Sequence, residues 1–439
     1  MPPWKLWSLR GIAAVVLLIV FVAALCASGL ASYFLAAWSA SIPLLALTAT
    51  LAFALVAWGG AWLGAIIWRA TKRARFAAAF SGILTAIFVA ALYFAVLRPS
   101  PLRLADTAPF DNTRYWQLPT GSRIAYSEYD PPAGVAARPE PIVFLHGGPG
   151  MRTGPFDLGF YSPFAAQGFR VYLLDQAGSG LSGFLPRVRD YSIIRAVQDL
   201  EAVRQQIDAK KMILIGHSWG STLAASYMAK YPDRVAKVVF YSPGSIWNWS
   251  QEVPDFSRTD GGSPDFVSLR LLAALLLLDR NPAAAQNLLP QREAEELLVP
   301  FIAPTAGTLV CKGDSDKLPP FLTSLASGPH VNPGFNPYVL NALAYDTDKP
   351  PGDPHALLRL NHTPAIILFS ECNYLPWSGA LDYRKTMPNV KLYYIPKAGH
   401  FIQFEQPELM TRVILAFLLD QPDSISPYSG DADPRNLHN

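Results

Sequence analysis

At 439 residues the chain has room for a catalytic domain and a further segment, and with 51% hydrophobic and 16% charged residues it falls short of the roughly 25% charged residues usual in soluble proteins. A net charge of +3, with no long basic stripe and no basic–aromatic patch, gives nucleic-acid binding no support. The three cysteines form no CxxC or Cys/His cluster, which argues against a zinc site, and no metal or organic cofactor is expected.

The charge deficit is local. No Asp, Glu, Lys or Arg occurs between Arg10 and Arg69, or between Arg75 and Arg98. A membrane span needs about 20 apolar residues to cross a hydrocarbon core of about 30 Å, so the first run is long enough for two. It divides near Ala37–Pro43, giving expected spans Gly11–Leu35 and Pro43–Trp68, with a third at Phe76–Leu97. Lys5 and Arg10 precede the first span, and Arg69, Lys72, Arg73 and Arg75 separate the second from the third. The positive-inside rule then places the N-terminus in the cytoplasm and everything after Arg98 outside, at the inner membrane if the chain is bacterial. Because two further spans follow, the first run reads as a span and not as a cleaved signal peptide. The spans hold no ionisable residue for ion or proton transport, so residues 1–98 read as an anchor partnered by the lipid bilayer. Residues 99–112 form a linker.

From Thr113 short strands alternate with amphipathic helices. Tyr115–Leu118 and Ser122–Tyr126 flank Pro-Thr-Gly as a hairpin. Pro141–Leu145 is a continuous apolar run, the pattern of a strand buried on both faces, Arg170–Leu174 and Met212–Ile215 are similar, and Val235–Tyr241 reads as the next strand. Ile193–Ile207 and Thr222–Lys230 have helical spacing between them. The alternation breaks over residues 245–360, a Pro-rich stretch with a helix expected at Val267–Leu278. It resumes with Ala365–Phe369, Gly379–Met387, Val390–Ile395 and Pro407–Leu419. The polar tail, 421–439, is expected to be disordered. The repetition predicts a mostly parallel sheet with helices on both faces.

Three features of this part carry chemistry. Gly216-His217-Ser218-Trp219-Gly220 follows an apolar strand and opens a helix, the setting in which a serine is held exposed on a strained turn as a nucleophile. His146-Gly147-Gly148-Pro149-Gly150 follows another strand, where one backbone N–H near Gly148 and one at Trp219 would stabilise an oxyanion. Of the seven histidines, His400 alone follows a late strand, and it is the expected general base. The acid that should orient it belongs just past Ala365–Phe369. Asn373 stands there, an amide that can accept the Nδ1–H bond but brings no charge; Glu371, two residues earlier, is the alternative acid. A Cys311–Cys372 disulfide is a possibility that the sequence leaves open.

Together, His-Gly-Gly-Pro-Gly, the run Asp175-Gln176-Ala177-Gly178-Ser179-Gly180-Leu181-Ser182 and Gly-His-Ser-Trp-Gly-Ser resemble the proline iminopeptidase branch of the α/β hydrolases, over about Tyr115–Pro243 and, less closely, Thr363–Leu419. The resemblance implies an α/β-hydrolase fold: an eight-stranded, mostly parallel sheet over 113–244 and 361–420, with a helical cap at 245–360. It implies an acyl-enzyme on Ser218, with His400 as base and an oxyanion hole at Gly148 and Trp219. The expected substrate is a small molecule or peptide with an ester or amide bond. The cap lacks a clear pattern of paired glutamates with tryptophans for a free α-amino group; Trp247, Trp249 and Glu252 come nearest. The competing expectation is a binding or scaffold protein impaired by Asn373.

Overall fold

The computed structural model describes residues 3–68, 71–101, 108–247, 268–302, 307–311, 334–344 and 353–436. The chain divides into two compact units. One comprises Met1–Pro101 with Asp265–Glu293, the other Leu102–Pro264 with Ala294–Asn439.

The first unit is built on α1 (Pro3–Ala36), α2 (Ile42–Ile67) and α3 (Arg73–Leu92), the last continued by a π-helical turn at Tyr93–Leu97. All three are long and apolar enough to cross a membrane. A stripe of mostly small residues on α2, including Ala49, Ala57, Ala61 and Ala65, is buried, while leucines on its other side, such as Leu51 and Leu55, are exposed. Small residues let apolar helices approach closely where lipid gives no hydrophobic drive to associate. Phe53 of α2 stacks on Phe88 of α3 at 4.3 Å between ring centroids.

The second unit holds the sheet. Its strands are β1 (Thr113–Gln117), β2 (Arg123–Tyr129), β3 (Ile142–Leu145), β4 (Val171–Leu174), β5 (Met212–His217), β6 (Val235–Tyr241), β7 (Ala365–Ser370) and β8 (Val390–Ile395). They lie in the order β1-β2-β4-β3-β5-β6-β7-β8. β1 and β2 form the hairpin, β2 runs antiparallel to β4, and every later pairing is parallel. Alternate residues of the apolar strands enter two separate cores. Val143, Leu145, Leu214, Val238 and Phe240 face one that includes Val197 and Leu200 of α5 (Ile193–Gln206) and Leu223 and Met228 of α6 (Trp219–Lys230). Ile142, Phe144, Ile213, Ile215 and Val239 face the other, with Tyr161 from the short helix α4 (Pro155–Tyr161) and Met410 and Ile414 from the helix Pro407–Leu418. Covering on both faces explains why these strands read as unbroken apolar runs.

Two expectations need correction. The tail is not disordered over its described residues. The Tyr428 N–H donates to the Leu392 carbonyl at 2.7 Å, Trp377 Nε1 to the Asp431 carbonyl at 3.0 Å, and Arg384 to the Gly430 carbonyl at 2.8 Å. A polar composition signals disorder only when nothing holds it, and here Trp377 and Arg384 supply donors and Leu392 an acceptor. Secondly, the cap stretch does not stay together. Its helices α7 (Leu269–Arg280) and α8 (Pro282–Leu288) belong to the unit of the three long apolar helices. Buried Arg270 explains this: it pairs with Glu293 at 2.7 Å and donates to the Val96 and Leu97 carbonyls, which the end of a helix leaves without intrahelical donors. Asn281 Nδ2 likewise donates to the Ala36 carbonyl closing α1.

Candidate active site

β5 ends at His217 and α6 starts at Trp219, so Ser218 alone makes the turn between them. Its φ of +52° and ψ of −118° lie where an L-residue is strained. The neighbours hold it there. The Ser218 N–H donates to the Tyr241 carbonyl at 3.1 Å, and its own carbonyl accepts from Ser221 and Gly244. A side chain at Gly220 would overlap the Leu145 carbonyl, and a Cβ at Gly147 would stand 2.9 Å from that of Ser218. Glycine at these positions therefore lets the β3 loop and the β5–α6 turn touch.

That contact brings together the two residues expected to form an oxyanion hole. The Trp219 N–H belongs to the open first turn of α6, and Gly148 adopts φ +120° in the loop against the turn. His146 fixes the loop. Its Nε2 accepts from the Gln176 N–H at 2.9 Å, so Nδ1 carries the proton and faces the Gly147 carbonyl at 2.9 Å. Burial lowers its pKa to about 4, which keeps this tautomer neutral. Gln176 completes the brace: its amide donates to the His146 carbonyl and accepts from Trp219 Nε1. Gln176 was visible in the sequence only as part of the Asp175–Ser182 run.

His400 lies on the loop after β8, beside His217. His217 Nε2 donates to the His400 carbonyl at 3.1 Å, and the two rings are 4.8 Å apart. This bond ties the loop of the expected base to the residue before the expected nucleophile. Burial, then the neighbouring His217 ring, pushes the His400 pKa well below the ordinary imidazole value; burial brings His217 to about 3. Both rings are neutral at pH 7.

Asn373 is the residue brought to His400. His400 Nδ1 and Asn373 Oδ1 are 3.1 Å apart, and the Leu375 N–H donates to the same oxygen at 3.1 Å. The Leu375 bond decides which way the amide faces, since Nδ2 in that place would set donor against donor. With Oδ1 toward the ring, Nδ1 holds the proton and Nε2 keeps its lone pair, the tautomer a general base requires. The cost is Nδ2, which is buried without an acceptor among the described residues. Glu371 is not brought to His400. It is exposed, and its Oε2 accepts from the Lys397 N–H at 2.8 Å. The acid alternatives, separated by two residues in sequence, thus point to different partners.

The surroundings of this pair were largely hidden in the sequence. Cys372, next to Asn373, forms a disulfide with Cys311, with 5.1 Å between their Cα atoms. Glu405 accepts from the N–H groups of both Gly399 and Cys311, and the His400 N–H donates to the Leu309 carbonyl. From the tail, Arg435 donates to the Asn373 carbonyl at 2.7 Å. The cysteine pair was the one signal here; nothing local marked Glu405 or Arg435. Trp249 and Glu252 lie outside the described residues.

A family model described as "alpha/beta hydrolase fold" matches residues 140–295. The proline iminopeptidase of Neisseria gonorrhoeae is 34% identical over 154 residues, 34% of this chain and 47% of that protein. The chain therefore spans about half the length of that relative. A probable proline iminopeptidase of Leptolyngbya boryana is 26% identical over 310 residues, 65% of this chain and 86% of that protein. Among solved structures, a thermophilic esterase from Thermogutta terrifontis superposes with a TM-score of 0.50 at 20% identity, over 70% of this chain and 98% of the esterase, a likeness of fold.

Proposed function

We propose, from the premise that this chain carries an α/β-hydrolase domain of the proline iminopeptidase-like kind, that it is a membrane-anchored serine hydrolase acting on an ester or amide. Ser218 Oγ attacks the substrate carbonyl carbon while His400 Nε2 takes its proton. The oxyanion accepts from the Trp219 N–H and from the loop at Gly148, donors each worth about 3 kcal/mol to such a transition state. His400 then protonates the leaving group, and water, activated by the same ring, releases the acyl group from Ser218. Asn373 orients the imidazole without neutralising the imidazolium that forms.

The observation that carries this reading is the strained Ser218 turn at the head of α6, together with a buried imidazole whose loop is tied to His217, the residue before that turn, and whose Nδ1 faces an amide oxygen. The three long apolar helices support anchoring. The Cys311–Cys372 disulfide supports an extracytoplasmic hydrolase unit, because cytosolic thiols are normally kept reduced. Substrates ending in an N-terminal proline are a narrower reading, favoured by the names of the sequence relatives.

Purified full-length protein assayed on p-nitrophenyl butyrate and on prolyl-2-naphthylamide tests both levels. Hydrolysis of either, lost in Ser218→Ala, is the expected result, and the preferred substrate separates esterase from aminopeptidase. The uncharged acid position favours one competitor, a binding or scaffold protein. Rates equal in the wild type and Ser218→Ala would leave that reading standing in place of ours.

A further inference from the structure

Within the anchor unit lies a cavity of about 240 Å³. Its walls are the last turns of α1, the first turns of α2, the end of α3 with its π-helical turn, and the inner side of α7 at Ala273, Leu276 and Leu277. The polar side chains at its rim have partners. Ser28 Oγ donates to the Leu25 carbonyl at 2.7 Å, Ser32 Oγ to the Leu45 carbonyl at 2.9 Å, and the Tyr33 hydroxyl reaches Asp279 at 3.4 Å. A water needs two to four polar partners, which these walls do not offer. Apolar walls around a void lose their dispersion contacts unless something apolar fills it. An engineered apolar cavity of roughly 150 Å³ already admits benzene, so this one has room for a longer hydrocarbon segment.

Its entrance lies on the outside of the bundle. Leu276 lines the cavity and is 57% exposed, and Leu269, Leu272 and Leu275 of the same helix are exposed as well. Arg270 holds α7 in place by pairing with Glu293 and donating to the last carbonyls of the third span, so this leucine face is fixed at the end of the spans. At that level of a bilayer the abundant apolar molecule is a phospholipid. We infer that the cavity is a binding site for one acyl chain of a membrane phospholipid, entering past Leu276. The inference rests on α1–α3 crossing a membrane.

The test uses the full chain in phospholipid vesicles containing a phosphatidylcholine with a diazirine midway along one acyl chain. After irradiation, peptide mapping should find adducts on Ala273–Leu277 and on the facing turns of α1 and α2. Ala273→Phe, which fills the void, should lower the adducts on α1 at least fivefold and leave those at exposed Leu51 and Leu55 unchanged. Ala46→Phe, from the opposite wall, should do the same and guards against one variant failing to fold. Carbonate-resistant protein whose adducts are confined to Leu51, Leu55 and similar exposed positions, unmoved by either variant, overturns the acyl-chain site alone. Release of the protein by carbonate would instead overturn the membrane reading and this inference with it.

Discussion

Asn373 is the residue on which the proposed chemistry turns. When an amide replaces the acid of a serine protease triad, turnover falls by about 10⁴, because the amide sets the wrong imidazole tautomer. Here the Leu375 N–H fixes the amide with its oxygen toward His400, so the tautomer is right and only the charge is missing. Asn373→Asp should therefore raise turnover by a smaller factor, about 10- to 100-fold. It should also move the acid limb of the kcat/KM profile to higher pH, since a carboxylate favours the imidazolium. Unchanged turnover with an unmoved limb would show that residue 373 does not govern the base. The buried histidines make a second prediction. His146, His217 and His400 have folded-state pKa values below their unfolded value, so their stabilising contribution is complete above about pH 6.5 and is lost as pH falls. Asp157 and Asp175, raised to about 6 by burial, act in the opposite sense, losing stability as pH rises through 6. Three histidines outweigh two carboxylates between pH 6.5 and 4.5, a net dependence on the order of 1 kcal/mol per pH unit. The thermal midpoint should be lower at pH 5 than at pH 7. An equal or higher midpoint at pH 5 would contradict neutral burial of these rings.

At the scale of elements, the loop after β7 is held from three directions: by the disulfide to Cys311, by Cys372 N–H donating to the Ala398 carbonyl, and by Arg435. Removing a cross-link across a sequence separation of 61 residues costs about 4 kcal/mol on the chain-entropy estimate. The double variant Cys311→Ser, Cys372→Ser should lose stability of that order and lose turnover as well, because the same bond steadies Asn373. Denaturant unfolding and turnover measured together check it; full activity with lowered stability would confine the disulfide to folding. The elements differ in how far the sequence foretold them. The elbow was legible because Gly216, Ser218 and Gly220 act within one turn, and β3 and β4 because a strand buried on both faces is apolar throughout. The amide partner of His400 was visible as a residue, but the choice between Asn373 and Glu371 depended on which way the six-residue loop 371–376 turns. The packed tail depended on tertiary donors, Trp377 and Arg384, that composition does not reveal. The grouping of α7 with the spans depended likewise on one buried arginine.

On the proposed function the molecule as a whole joins a membrane anchor to a hydrolase unit, and the positive-inside reading of Arg69, Lys72, Arg73 and Arg75 puts that unit on the outer face. Protease added outside intact spheroplasts should digest the hydrolase unit and spare the spans. Digestion only after lysis would reverse the orientation. The most direct test of the central claim is covalent. Full-length protein treated with a fluorophosphonate should carry one adduct, located by peptide mass spectrometry on Ser218 and absent from Ser218→Ala. An unmodified Ser218, or the same adduct yield in Ser218→Ala, would contradict a nucleophile at that turn.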